Sequence, residues 1–205
     1  MNLRAVVAVT LTLAAVTGCG ARISGEPIPT SSSTGEAPFT DLLPARPREL
    51  NLTGVDPCVD LLTNRQLREL DYDLGFARPP KPDHSDIHGG PDCTFASNGG
   101  DGGPSRNVLT LVGISTTEGA LAWVDDPART PDRRPEVVQV DGFSAIVLPH
   151  PKLPDNCKIV VDTAEGQYLE VSSGQGTGEG TGAEVFCAEA ERVAGMAIQT
   201  ISASR

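Results

Sequence analysis

The sequence predicts an α+β fold: an antiparallel sheet of about five to six strands with helices packed on one face, stapled by two disulfides. Two observations carry that reading. Two Gly-containing turn dipeptides, Asp141-Gly142 and Glu165-Gly166, each separate a pair of short apolar runs, which is the pattern of a tight β-hairpin. The last twenty or so residues instead place Phe186, Ala190, Val193, Ala197 and Ile201 at helical spacing, one apolar stripe on one helix. Strands joined by short turns imply antiparallel pairing, and a terminal amphipathic helix must bury its stripe against the sheet.

The elements follow in order. Asp56-Pro57-Cys58 reads as a helix start, with Asp56 as N-cap and Pro57 in the first turn, so residues 58–62 form one short turn. Thr63 caps again, and Asn64 to about Leu70 continues as a helix with Leu67 and Leu70 on one side. Residues 77–92 are rich in Pro and Gly and read as a loop. Cys93 to Ala96 is a strand, and Val108 to Ile114 the next, joined through the glycines of residues 99–103. Thr117 to Val124 reads as a short helix with Leu121 and Val124 inward. Val137–Val140 pairs with Phe143–Leu148, and Lys158–Asp162 with Tyr168–Ser172. A glycine-rich connection then leads to the final helix, about Ala183 to Ser202.

The chain has 205 residues. Its first eighteen have the form of an export signal. Arg4 supplies a basic start, and residues 5–16 form an uncharged, mainly apolar run too short to span a bilayer of about 30 Å as a helix. Val16-Thr17-Gly18-Cys19 closes it: an apolar residue, two small ones and a cysteine. A lipid-modifying pathway needs such a cysteine at the new amino terminus, so Cys19 is the expected lipidation site. Residues 19–54 read as a tether rich in Pro, Ser and Gly, too poor in large apolar residues to offset its ordering entropy. As a coil it would span about 30–35 Å. Residues 55–205, about 150 residues, suit a single domain with its own core. Sparse aromatics mean that this core rests on Val, Leu, Ile and Ala.

The formal charge is −11, and loss of Arg4 with the signal makes it one unit more negative. Nucleic acid demands a basic surface, so it is excluded as a partner. Broad electrostatic docking on anionic lipid is excluded for the same reason, which leaves a lipid anchor as the membrane contact. Of five cysteines, Cys58, Cys93, Cys157 and Cys187 remain beside Cys19, an even number in an exported domain. They point to two disulfides, for which three pairings are open. None forms a CxxC pair, so zinc-knuckle and thioredoxin-like chemistry are unsupported.

His84 and His88, with Asp83, Asp86 and Asp92, place two imidazoles four apart among carboxylates. That spacing aligns the rings for Zn²⁺ or Cu²⁺ only in a helix, and Pro79, Pro80, Pro82 and Gly89-Gly90 oppose one, so a solvated loop is expected and no metal. The glycines at 174, 176, 178, 180 and 182 precede a helix as in phosphate-cradling turns, but no Lys-Ser or Lys-Thr follows and no βαβ unit fits in the remaining chain. Three histidines and no Gly-x-Ser-x-Gly elbow give serine-hydrolase chemistry no footing.

Several motifs stand together in a fixed order: the Cys19 signal, a polar tether, Asp56-Pro57-Cys58 followed by Leu61-Leu62-Thr63, then Cys93-Thr94-Phe95, Val140-Asp141-Gly142-Phe143-Ser144-Ala145, Cys157 on a strand and Cys187 in the last helix. This order resembles the actinobacterial lipoprotein family catalogued as domain of unknown function 3558, over essentially the whole mature chain. Phe95 stands where that family commonly has tryptophan. The resemblance implies a lipid-anchored exported domain with the disulfides Cys58–Cys93 and Cys157–Cys187. It implies no activity.

Residues and resemblance together set the functional expectation. The chain is expected outside the cytoplasm, anchored to the membrane through its N-terminus. There it acts as a non-enzymatic binding domain for an envelope protein or cell-wall component, with no cofactor. The alternative is a small envelope hydrolase that cleaves glycan through two carboxylates. A lipid carrier would need a large apolar cavity, of which the small aliphatic core gives no sign.

Overall fold

A computed structural model describes residues 43–72, 74–78, 90–97, 108–125, 129, 135–149, 155–175 and 182–205. The signal, Cys19, residues 19–42 of the tether, the His84/His88 loop and the glycines at 176–180 lie outside the described residues.

Seven strands form one sheet: β1 (Leu74–Arg78), β2 (Asp92–Ser97), β3 (Val108–Ser115), β4 (Glu136–Val140), β5 (Phe143–Pro149), β6 (Asn156–Ala164) and β7 (Gln167–Gln175). Their order across the sheet is β1-β2-β3-β7-β6-β5-β4, and every neighbouring pair is antiparallel. The α+β expectation is met, with one strand more than the sequence suggested. β1 pairs on one side only, with β2, and its Gly75 and Ala77 supply little of the apolar alternation that marks a strand in sequence. Pairing with β2 creates the strand where local propensity does not.

The two hairpins sit where the turn dipeptides put them. Asp141 (φ 49°) and Gly142 (φ 84°) both occupy the left-handed region between β4 and β5, the requirement of a two-residue turn that matches strand twist. Gly166 (φ 67°) serves the β6–β7 turn.

Three helices are described. α1 (Asn64–Glu69) begins at Thr63, which accepts the Gln66 amide while the Gln66 side chain accepts the Thr63 amide at 2.7 Å, a reciprocal capping box. α3 (Ala183–Ser204) lays Phe186, Ala190, Val193, Ala194, Ala197, Ile198 and Ile201 on one face of the sheet. There they meet Val112 and Ile114 of β3, Ile159 and Val161 of β6, and Leu169 and Val171 of β7, the main core. α1 is tied to α3 through Gln66, whose Nε2 donates to the Met196 carbonyl at 3.0 Å.

α2 (Ala122–Asp125) is shorter than the helix expected over 117–124, and its buried side chain is Trp123, whereas Leu121 and Val124 are only half-buried. It lies on the opposite face of the sheet, so α3 is not the only cover. Ala120 and Trp123 pack there with Ile146, Leu148, Val160 and Tyr168, the residues of β5, β6 and β7 that alternate with the main core.

The packed domain also begins earlier than Val55. Residues 43–54, read in the sequence as tether, run around the end of the sheet that carries both hairpin turns. Leu43 packs against the Trp123 cluster, whereas Leu50 and Leu52 are buried in the main core. The Leu50 amide donates to the Thr163 carbonyl at 2.8 Å and the Leu52 amide to Gln167 Oε1 at 2.6 Å. Two leucines at spacing two seat the end of this segment in the main core.

The four cysteines pair as the resemblance implies. Cys58–Cys93 ties the residues before α1 to β2, and Cys157–Cys187 ties β6 to α3.

A charged and aromatic cluster on the second face

The second face of the sheet carries the densest set of chemistry-bearing side chains among the described residues. Strand alternation puts Lys158 and Val160 of β6 on it, together with Tyr168 and Glu170 of β7. Lys158 faces Ser172 in register and Val160 faces Glu170, so Lys158 and Glu170 are diagonal neighbours, a separation that long side chains bridge. Lys158 Nζ lies 2.7 Å from Glu170 Oε1, with the side chains 5% and 0% exposed. On the other side of Glu170 the register partner is Gly113 of β3, and beyond it Asp92 of β2.

Aromatic rings close over this pair. Lys158 Nζ sits 4.0 Å from the centroid of the Trp123 ring, within cation–π range. Trp123 meets Tyr168 edge to face, with centroids 6.3 Å apart and planes at 79°. Arg129 approaches the same indole, its Cζ 5.7 Å from the centroid. Arg129 also grips Glu118 with both terminal nitrogens, at 3.1 and 3.0 Å, the planar two-point contact that guanidinium makes with carboxylate. Tyr168 Oη donates to Glu118 Oε1 at 3.2 Å and closes the ring of contacts. Burial pushes the Tyr168 phenol well above its usual range, and the Glu170 and Glu118 carboxylates add to the shift.

Each of these cations therefore faces a carboxylate. Chemically the cluster is a clamp: opposite charges and edge-to-face rings hold residues 118–125 against β6 and β7.

The first face has a smaller polar chain. Tyr72 Oη lies 2.6 Å from Thr110 Oγ1 and donates to Glu189 of α3 at 2.9 Å, and Thr110 Oγ1 lies 3.0 Å from Ser173 Oγ. Burial also raises the Tyr72 phenol, with Glu189 adding to it. The chain joins β3, β7, α3 and the residues after α1 across the main core.

Of the residues singled out from sequence, the structure brings together the four domain cysteines. Cys19, His84 and His88 lie outside the described residues, and among the described residues no group of three His, Cys, Asp or Glu side chains is arranged to hold a metal. Sequence reasoning missed Lys158, Glu170 and Trp123. A charged residue alternating with valines reads as the wet face of a strand. The available signal was the hairpin itself: with the register fixed by the Glu165-Gly166 turn, a lysine on one strand and a glutamate on the other fall on one face within reach.

Comparison with known proteins yields one family. No curated protein and no solved structure matches the chain. The family model described as "Protein of unknown function (DUF3558)" matches residues 14–200, nearly the whole sequence. The match takes in both disulfides, the sheet and almost all of α3, and so the chain belongs to the DUF3558 family.

Proposed function

We propose that this protein is a lipid-anchored domain of the cell envelope, held to the membrane through Cys19, and that it acts there by binding rather than by catalysis. The observation that carries the export half is the pair of disulfides, Cys58–Cys93 and Cys157–Cys187. Such bonds form and persist in oxidising compartments outside the cytoplasm. Val16-Thr17-Gly18-Cys19 supplies the anchor in sequence. Among the described residues no helix is long and apolar enough to cross a membrane.

Support for the binding half comes from the use made of charge inside the domain. Lys158 and Glu170, Arg129 and Glu118, and Arg46 and Asp162 pair with each other and hold elements together. The alternative, glycan hydrolysis, requires two carboxylates set apart across a substrate cleft. The partner class is an envelope protein or cell-wall component, and an acidic surface steers it toward basic or neutral partners.

Replacement Cys19→Ala tests the anchor. The expected result is protein released from the membrane fraction or retained as an unprocessed precursor. A variant that stays membrane-bound and processed like the wild type contradicts it. Crosslinking in intact cells, followed by identification of the linked species, tests the binding role.

A further inference from the structure

Residues 43–49 are attached differently from the chain that follows them. Leu43 and Arg46 are half-buried, and residues 44, 45 and 47–49 are exposed. Side-chain polar links hold the segment. Ser144 Oγ donates to the Pro44 carbonyl at 2.9 Å. Arg46 Nη1 reaches Asp162 Oδ2 at 2.7 Å, and Arg46 Nε reaches Glu49 Oε1 at 3.0 Å. Glu49 in turn accepts the Glu165 amide at 3.0 Å. At Leu50 the attachment changes character. Leu50 and Leu52 are buried in the main core, and their amides bond to Thr163 and Gln167.

Segments with few buried apolar groups and exposed polar links open at low cost, independently of the core. Two leucines in the core stop that opening from spreading. We infer that residues 43–49 form a detachable strap that opens and closes while the domain stays folded, hinged at Leu50. Opening frees Ser144 and Asp162 on the rim of β5 and β6, and it withdraws Leu43 from the Trp123 cluster, leaving an apolar edge beside a carboxylate. Closing covers both. Arg46 is the latch, because it joins Asp162 of the sheet to Glu49 of the strap. The inference uses only the domain and does not rest on lipidation of Cys19.

The full chain offers two built-in reporters. Trp123 is its single tryptophan. Arg48 is a trypsin site within the strap, whereas Arg46 precedes Pro47 and resists cleavage. In the wild type, cleavage after Arg48 is expected to proceed at a rate insensitive to low denaturant, the mark of local opening, while core sites follow global unfolding. Arg46→Ala should raise the rate after Arg48 several-fold with the melting temperature unchanged and shift Trp123 emission to the red. Arg46→Lys, which keeps the charge, should restore part of the protection. Because Arg46 lies outside the core, these variants keep the fold, and circular dichroism verifies it. Cleavage after Arg48 that tracks global unfolding overturns the strap. Equal rates in wild type and Arg46→Ala overturn Arg46 as its latch. Unchanged Trp123 emission in a variant that is cut faster overturns the uncovering of the cluster.

Discussion

Lys158 and Glu170 show how a single pair of side chains decides what a strand face does. Both sit in strands where alternation alone would put them in water, yet neither is exposed, and the Trp123 ring lies over the ammonium. Burying two charges is costly, and their attraction offsets the cost only while both are present. Replacing Lys158 by Met is therefore expected to destabilise the domain by about 3–5 kcal/mol, because it strips the buried carboxylate of this counter-charge. Lys158→Met combined with Glu170→Leu should recover most of that loss. Urea unfolding of the two single variants and the double variant measures the coupling, and independent, additive effects would contradict the reading. The two tyrosines make a second test at this scale. Tyr72 and Tyr168 are the only ones in the chain, and burial raises both phenols. A phenol raised in the folded state contributes its stability in full below the unfolded pKa of about 10, and that contribution falls progressively as pH rises from there toward the folded value. Absorbance of phenolate should then stay absent in the native protein through pH 10 and appear together with alkaline unfolding. A free titration near pH 10 with the fold intact would contradict the buried hydrogen bonds.

Among the elements, legibility in sequence followed how local the determining interaction is. The β4–β5 and β6–β7 hairpins were readable because Asp141-Gly142 and Glu165-Gly166 settle the turn within a few residues. α1 was readable from Thr63 and α3 from its apolar stripe. β1 was not, since it exists by pairing with β2, and Gly75 and Ala77 hide the alternation. The seating of residues 43–54 was not, since their prolines and charges outweigh Leu50 and Leu52 in composition. Trp123 was missed as the inward residue of α2 because a four-residue helix is too short to show a period. Its burial follows from contact with Lys158 and Tyr168 across the sheet. The cysteines were visible as a framework in sequence, and their pairing came from resemblance. Removing Cys157–Cys187, which joins residues 30 apart, tests what that link contributes to the contact between β6 and α3. Loop-closure entropy puts the loss at about 3.5–4 kcal/mol. A Cys157→Ala, Cys187→Ala variant should therefore melt well below the wild type, and equal melting temperatures would show that α3 is held by its apolar stripe alone.

For the whole molecule, domain stability and location are linked through the disulfides. A domain of this size is typically stable by about 5–15 kcal/mol. Two bridges worth about 3.5–4 kcal/mol each are a large share of that margin, so the fold depends on an oxidising compartment. In the proposed function, residues 1–19 supply the route to such a compartment and the lipidated Cys19 the means to remain there. The chain's formal charge of −11 disfavours electrostatic docking on anionic lipid surfaces. In sequence, residues 43–49 lie between Leu50, buried in the main core, and the residues that lead back to Cys19. The most direct test of this account is the mass of the N-terminal peptide of protein extracted with detergent from cell membranes. The expected peptide begins at Cys19 and carries acyl chains on it. A peptide that begins at another residue, or at an unmodified Cys19, contradicts anchorage.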